Sequence, residues 1–317
     1  MTEPSPHLAD LEPQPLTPSH ELNTLASWME RARQSGLTLL EAQCLMLKAV
    51  GQAQSHKVWL YTHDQTLLTF AQSEGFWTDV ERRLNHVPLA YITQETCFYG
   101  LALTIDERAL DPRCDTEILV DWALEILTQP LEVSAHSQYN PLSTSDSSNR
   151  SRRVVDLGCG SGAIALALKA NAPSSEVWAV DQSAAALSLT QHNAKALGLD
   201  VVVQEGSWLE GVGTTQFDLI VSNPPYISPG DPHLRHLVHE PLSALVSADE
   251  GMGDIRAIAH QARGHMKPGA WLLFEHGHDQ SVRVRETLGG LGYINIQTRL
   301  DLAGIPRCTG GQSPNME

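Results

Sequence analysis

The sequence predicts an α/β protein: a mostly parallel sheet with helices on both faces, an antiparallel C-terminal edge, and a small N-terminal helical domain in front. Three observations carry that expectation. Apolar residues recur at helical spacing from Glu21 to about Val87, with Leu22, Leu25, Trp28 and Met29 on one face. From Arg153 onward, short apolar runs alternate with helical stretches. Between the first of those runs and its helix stand Gly158, Gly160 and Gly162, which let the chain turn tightly.

The elements follow in order. Residues 1–19 carry prolines at 4, 6, 13, 15 and 18 and no periodic apolar positions, so a disordered tail is expected. In the helical domain, 20–87, Thr38-x-x-Glu41 reads as a capping box opening a helix from Leu39 to Val50, with short helices through Trp59, Leu67, Phe70 and Phe76–Leu84. That domain carries no catalytic signature, which leaves it packing or the docking of a protein substrate. Residues 88–128 hold a hairpin, Phe98–Ile105 alternating around Gly100, and a connecting helix, Thr116–Leu127. The stretch 129–152 is polar and rich in serine (143, 145, 147, 148 and 151), the composition of a flexible linker in which Arg150, Arg152 and Arg153 are expected to be solvated. The main domain, 153–311, reads as a strand from Arg153, helix Ala163–Ala170, strand Glu176–Val180, helix Ala184–Leu197, strand Val201–Gln204, strand Phe217–Val221, strand Trp271–Glu275 and helix Gln280–Leu288. Tyr293–Arg299 and a segment near Arg307 complete an antiparallel edge, and 312–317 is a tail.

Composition narrows the function. A chain of 317 residues exceeds one typical domain, and its net charge of −16 argues against a broad phosphate-binding surface, so no direct nucleic-acid binding is expected. Five cysteines, at 44, 97, 114, 159 and 308, show no C-x-x-C spacing, as for reduced cytosolic thiols. No apolar run reaches membrane length, and the N-terminus is proline-rich and acidic rather than basic then apolar; the expectation is a cytoplasmic protein with no membrane partner. His233, His236 and His239 fall at three-residue steps, with His276 and His278 later, yet surface and core roles suffice for them and no metal is expected.

The chemistry-bearing residues lie in two runs that both leave the carboxyl ends of expected strands, and hence belong to one pocket. The first is Val221-Ser222-Asn223-Pro224-Pro225-Tyr226-Ile227. Two prolines fix φ near about −65° and carry no N–H, so the turn is stiff and the Pro224 carbonyl is free to accept. Asn223 adds a second acceptor, and Tyr226 an aromatic face. A planar NH2 group whose two hydrogens are held by fixed acceptors can direct its lone pair at an electrophile. An ordinary strand-to-loop turn uses the same residue types.

The second run, Arg153 to Gly162, is strand, glycine loop and helix N-terminus. It satisfies the dinucleotide fingerprint, with Asp181 at the distance of a ribose-binding acid. Two details favour S-adenosylmethionine over NAD: Asp156 at the strand end, placed to order the loop and meet an ammonium group, and the Asn-Pro-Pro-Tyr turn. Asp181 is a ribose acceptor or a loop acid. Trp208, within Gly206-Ser207-Trp208-Leu209, stacks on adenine or packs in the core.

Together these residues resemble the release-factor glutamine methyltransferase (PrmC/HemK) family over about residues 22–311. The likeness includes Pro88-Leu89-Ala90-Tyr91-Ile92, Phe98-Tyr99-Gly100, Asp115-Thr116-Glu117, Asp231-Pro232-His233-Leu234, Glu240-Pro241-Leu242 and Glu275-His276-Gly277. The resemblance implies a class I, Rossmann-like methyltransferase that moves a methyl group from S-adenosyl-L-methionine, leaving S-adenosyl-L-homocysteine, to the side-chain amide nitrogen (N5) of glutamine. The target is the Gly-Gly-Gln motif of class 1 peptide chain release factors, which makes those factors the protein partner and translation termination the process. By position, Asp156, Gly158, Cys159, Gly160, Ser161, Gly162, Asp181 and Trp208 would hold the cofactor, with Asn223 near both ligands. Asn223, Pro224, Pro225 and Tyr226 would hold the glutamine, with Asn223, Pro224 and Tyr226 in the catalytic role of fixing the amide for in-line attack; no general base is evident in the sequence, and none is required if the product sheds its proton to solvent.

The chain departs from the family's pattern at Asp111 and Cys114, where the family has an apolar residue and a proline, at Ser207, where an acid is usual, and in a shortened Arg235–His239 loop. Three other readings use the same turn: methylation of a different protein's glutamine, such as a ribosomal one; methylation of adenine in DNA, which requires base flipping; and a non-catalytic S-adenosylmethionine-binding regulator. The chain's own Gly310-Gly311-Gln312 is expected to be a coincidence in a frayed tail, the alternative being self-methylation.

Overall fold

A computed structural model describes residues 23–129 and 151–314. The expected disordered tail at 1–19, all but the ends of the serine-rich linker, and residues 315–317 of the C-terminal tail lie outside the described residues. The chain divides into two compact units between Asn85 and His86.

The first unit is helical: α1 (Leu25–Gln34), α2 (Leu39–Ala49), α3 (Lys57–Thr62) and α4 (Phe70–Leu84). Thr24, Thr38 and Thr69 each close a capping box on the residue three positions on, Ser27, Glu41 and Gln72. The third box explains why α4 starts at Phe70, earlier than apolar spacing alone suggests. Leu25, Leu45, Met46, Leu60, Phe76 and Val80 form its buried interior.

The second unit opens with α5 (Leu89–Thr93) and an antiparallel hairpin, β1 (Glu95–Phe98) and β2 (Leu101–Thr104), turned by Tyr99 and Gly100, both at positive φ. A 3-10 turn, Cys114–Thr116, leads into α6 (Glu117–Thr128). Then follow β3 (Arg153–Leu157), α7 (Ala163–Asn171), β4 (Glu176–Asp181), α8 (Ala184–Leu197), β5 (Val202–Glu205), β6 (Phe217–Ser222), α9 (Ala248–Gly251), α10 (Gly253–Ala262), β7 (Met266–Glu275), α11 (Ser281–Gly290), β8 (Ile294–Leu300) and β9 (Pro306–Gln312). Among the described residues the large sheet has the order β5-β4-β3-β6-β7-β9-β8, parallel from β5 to β7, with β9 antiparallel to both neighbours. This is the expected α/β architecture with its antiparallel C-terminal edge.

The strands alternate faces as a pleat requires. Val155, Leu157, Ile220, Leu272 and Phe274 pack with Ile255 and Ile258 of α10 and Val284 and Leu288 of α11. Val154, Leu219, Val221 and Leu273 pack on the other face with Leu119 and Trp122 of α6 and Leu166 of α7. Strand order reverses at β3, which has β4 on one side and β6 on the other, and the glycine loop leaves the sheet there.

Two expectations fail here. Arg152 is not solvated: its guanidinium donates to the Ile126 and Gln129 carbonyls, closing the C-terminal end of α6. Arg153 pairs with Glu176 at 2.9 Å, and its backbone N–H donates to the Asp218 carboxylate at 2.7 Å. Nor is Gly310-Gly311-Gln312 a frayed tail; it ends β9. A Cβ at Gly310 would lie 2.4 Å from Leu273 Cδ2 and 2.8 Å from the Leu272 carbonyl oxygen, so close strand packing accounts for the glycine. Gln312 pairs with Trp271 whereas Cys308 pairs with Glu275, which sets the glutamine toward the opposite end of β7 from the Glu275 end beside the Asn-Pro-Pro-Tyr turn. No helix among the described residues is long and apolar enough to cross a membrane.

Candidate active site

The glycine loop is held from beneath by backbone bonds. Gly158 and Cys159 N–H donate to the Val180 carbonyl at 2.8 and 3.0 Å, and Gly162 N–H donates to the Cys159 carbonyl at 2.8 Å. Gly162 has φ +83°, and a Cβ there would meet Thr190 Cγ2 at 2.8 Å; any side chain would push α8 away. Cys159 is buried, which pushes its thiol up, and its sulfur lies against Thr190 Oγ1 at 3.5 Å, a packing role.

Asp181 ends β4 and uses both carboxylate oxygens: Oδ2 accepts from Gly160 N–H at 2.9 Å and Oδ1 from Ser183 N–H at 2.8 Å. Each oxygen retains a second lone pair for a ligand hydroxyl. Asp156 sits near the carboxyl end of β3, as its sequence position suggests. It is fully buried, Oδ2 accepts from Ala165 N–H at 3.1 Å, and Oδ1 has no partner. Burial pushes this carboxyl up to about 7. Asp156 therefore braces the first turn of α7, and it is not among the residues lining the cavity.

Above the loop opens a cavity of about 510 Å3. Of the residues singled out in sequence, Gly158, Cys159, Gly160, Ser161, Asp181, Trp208, Asn223 and Pro225 line it; Asp156, Gly162, Pro224 and Tyr226 do not. Trp208 sits at φ +53°, an uncommon backbone state for a large side chain, and a Cβ at Gly158 would meet its ring at 3.2 Å. Leu110, Pro112 and Thr116 also line it, from the segment that the resemblance sets at the border of the site, as do Pro241 and Ser243, to which no role was given from sequence. Their signal lay in the Asp115-Thr116-Glu117 and Glu240-Pro241-Leu242 segments.

The Asn-Pro-Pro-Tyr turn is anchored at Ser222 just before it and at its two end residues, Asn223 and Tyr226. Ser222 Oγ donates to the Leu157 carbonyl at 2.7 Å, tying the ends of β6 and β3. Asn223 Nδ2 donates to Thr116 Oγ1 at 3.3 Å, which leaves Oδ1 as the acceptor of that amide. The Tyr226 carbonyl accepts from Gln280 Nε2 at 2.9 Å, and its hydroxyl lies 3.4 Å from Glu275 Oε1. Burial, with the nearby Glu275 charge, holds the phenol well above its ordinary value. His276 is buried, bonds Thr309 Oγ1 at 2.8 Å, and is pushed down by burial toward the neutral form. Among the described residues, no three His, Cys, Asp or Glu side chains converge as a metal site.

The lining fits a nucleoside carrying an amino-acid tail. Asp181 offers carboxylate acceptors, Trp208 an aromatic surface, and the start of α7 at Ala163 and Ile164 offers backbone N–H donors of the kind that take a carboxylate. The volume lies in the usual range for small-molecule sites, about 300–1,000 Å3.

Comparison with known proteins agrees with this geometry. Residues 141–265 match the methyltransferase small domain, and residues 23–93 match the PrmC N-terminal domain. Over 278 residues the chain is 40% identical to the release factor glutamine methyltransferase of Xylella fastidiosa (strain Temecula1), covering 87% of this chain and 93% of that protein. It is 37% identical over 289 residues to the protein of that name from Shewanella oneidensis, covering 90% of this chain and 93% of the relative. The Escherichia coli (strain K12) protein of the same name is 36% identical over 276 residues, covering 86% of this chain and 91% of its own length.

Proposed function

Because the chain belongs to the release factor glutamine methyltransferase family, we infer that it is an S-adenosylmethionine-dependent protein glutamine methyltransferase acting on class 1 peptide chain release factors. The side chain modified is the glutamine of their Gly-Gly-Gln motif, and the cytoplasm, where translation terminates, is its place of work. The observation that carries the reading is the position of Asn223: its carboxamide, oriented by Thr116, lines the same cavity as the glycine loop and Asp181. An amide-recognising acceptor thus stands beside the nucleoside-binding elements.

Asp181, Trp208 and the glycine loop from Gly158 to Gly162 bind the cofactor in this reading, with Asp156 keeping the loop and α7 in register. S-adenosylmethionine supplies a methyl group already activated by its sulfonium. Asn223 Oδ1 and the Pro224 carbonyl each accept one N–H of the glutamine amide, while Pro225 and the Tyr226 ring confine its plane. The nitrogen lone pair then points toward the cofactor side of the cavity. Positioning of this kind, with acceptors that need no reorganisation, accounts for large rate effects in water-excluded sites. The helical N-terminal unit, matched over residues 23–93, is the part available for docking the protein substrate.

The test is mass spectrometry of the Gly-Gly-Gln peptide from purified release factor after incubation with the protein and S-adenosylmethionine. One added methyl on the glutamine amide, absent with Asn223→Ala, is the expected result. No gain despite demonstrable cofactor binding would move the substrate to another protein's glutamine or a nucleic-acid amine.

A further inference from the structure

Glu275 is a costly residue for a place that packing alone could fill. It ends β7 and is 2% exposed. β6 and β7 run parallel with Ser222 opposite Phe274, so Asn223 and Glu275 leave the sheet level with one another. Glu275 Oε1 lies 3.4 Å from Tyr226 Oη, and the Thr116 hydroxyl faces the same carboxyl. Oε2 nevertheless lacks a partner at normal hydrogen-bond geometry. Arg307 is nearby, but its guanidinium is engaged by Asp115 at 2.9 Å and Asp301 at 3.0 Å. A buried carboxyl with an unsatisfied oxygen destabilises a fold relative to an apolar side chain of equal size.

What the carboxyl can do, and an apolar side chain cannot, is receive two hydroxyls, those of Thr116 and Tyr226. Thr116 is 2% exposed and accepts the Asn223 N–H through its oxygen, which leaves its own proton for Glu275. Tyr226 is already fixed at its carbonyl by Gln280 and needs only its hydroxyl held to be fixed at both ends. Resting on the amide-methylating reading above, we propose that Glu275 is a positioning residue for methyl transfer, the buried acceptor that joins Asn223, through Thr116, and Tyr226 into one rigid frame for the planar amide. Burial raises the Glu275 carboxyl to about 7, toward the neutral form that glutamine copies, whereas methionine keeps its length and loses both acceptors.

The test pairs kinetics with a readout that does not depend on turnover. With intact release factor, Glu275→Met is expected to lower kcat about 50-fold and Glu275→Gln less than about 5-fold, both keeping S-adenosylmethionine affinity within about 2-fold, the pattern of a misplaced acceptor and an intact cofactor site. In a Tyr226→Phe background the Met substitution should cost clearly less, because one of the two hydroxyls is already gone. In the protein bound to S-adenosylhomocysteine, the 13C resonance of the Tyr226 ring carbon bearing the hydroxyl should move in Glu275→Met and stay in place in Glu275→Gln. Additive losses in the double-mutant cycle, an equal loss of cofactor affinity, or an unmoved resonance in Glu275→Met would each overturn the proposal. A wild-type protein that leaves the release factor unmethylated while the resonance moves as expected would sink the substrate assignment and support the frame.

Discussion

Gly251 offers a sharp test of how the acceptor turn is supported, because its backbone and its neighbours both forbid a side chain. Asp249 (φ 58°, ψ 48°) and Glu250 (φ 53°, ψ 42°) precede it in the left-handed region, and Gly251 itself has φ +82°. Arg256 pairs with the Asp249 carboxylate, and Arg283 with the Glu250 carboxylate at 3.2 Å, holding this turn in place. A Cβ on Gly251 would lie 2.1 Å from the Tyr226 carbonyl oxygen and 2.6 Å from Gln280 Nε2. Relief to an ordinary contact requires the Tyr226 carbonyl to retreat by roughly 1 Å, and the Gln280 bond that holds it at 2.9 Å must break or stretch. Gly251→Ala should therefore cost about 1–2 kcal/mol for the left-handed backbone plus about 1 kcal/mol for the displaced hydrogen bond. A shift of that size in the turn should lower kcat about 100-fold. Gly198→Ala is the control: it also has positive φ, +67°, at the C-terminal cap of α8, but nothing lies within 4 Å of its added Cβ. It should show the backbone cost alone and full activity. Urea unfolding of both variants, with kcat for release-factor methylation and S-adenosylmethionine Kd, decides the matter. If Gly251→Ala matches Gly198→Ala in stability and turnover, the buttress argument is wrong.

Three further outcomes follow from the same geometry. Asn223→Ala should lower kcat about a thousandfold, within the range seen when a preorganised polar group is removed, while cofactor Kd changes little; equal losses in both would remove Asn223 from the amide-holding role. Asp181→Ala should raise S-adenosylmethionine Kd about 10- to 100-fold, since it removes a charged acceptor and frees the Gly160 N–H; unchanged affinity by calorimetry would leave Asp181 a loop acid only. Burial raises the Asp156 carboxyl from 3.8 to about 7, so the folded state binds the proton more tightly than the unfolded chain does. Its contribution to stability is thus fully present below about pH 4 and is lost as pH rises through about 7. Asp156→Asn, whose amide oxygen can still accept from Ala165 N–H, should lack this component; a wild-type minus variant difference that stays flat in urea titrations from pH 4 to 8 would contradict it.

What could be read in the sequence was what local geometry dictates. Glycines at 158, 160 and 162 all take positive φ, and the alternation around Gly100 marks a real hairpin, because in each case a single residue type answers a backbone demand. The cavity-lining role of Asn223, Asp181 and Trp208 was legible for a related reason: strand ends in a parallel sheet converge on one side. That Asp156 accepts from Ala165 N–H was not legible, because only the packing of α7 over β3 brings the two together. Helix α10 has no counterpart in the elements expected from sequence, although Ile255, Ile258, Ala259 and Ala262 have helical spacing. Gly310 looked like tail composition because its reason, the side chain of Leu273, is on another strand. The frame of Thr116, Tyr226 and Glu275 joins three segments far apart in sequence, and no local pattern encodes such a contact.

The departures at Asp111 and Cys114 acquire a physical meaning in the same way. Cys114 starts the Cys114–Thr116 turn where the family pattern has proline, and loss of a proline at a compatible position costs up to about 1 kcal/mol through the unfolded chain's extra freedom. Neighbouring charges work against that loss. Arg113 donates to the buried Glu240 at 2.6 Å and lies 3.8 Å from Asp111, and Asp115 pairs with Arg307 at 2.9 Å. Pro112 and Thr116, which flank Arg113 in sequence, line the cavity, as does Pro241 next to Glu240, so the Arg113–Glu240 pair joins two lining segments. Asp111 gives that guanidinium a second acid within reach. Burial raises the Asp111 carboxyl, an effect that a hydrogen bond from Thr96 and then the Arg113 charge offset only in part. An apolar residue at 111 could pack there but could not attract Arg113. The chain thus replaces part of the stiffness of a proline with electrostatic restraint on the same loop, and Thr116, through which Asn223 is oriented, sits two residues beyond the exchange.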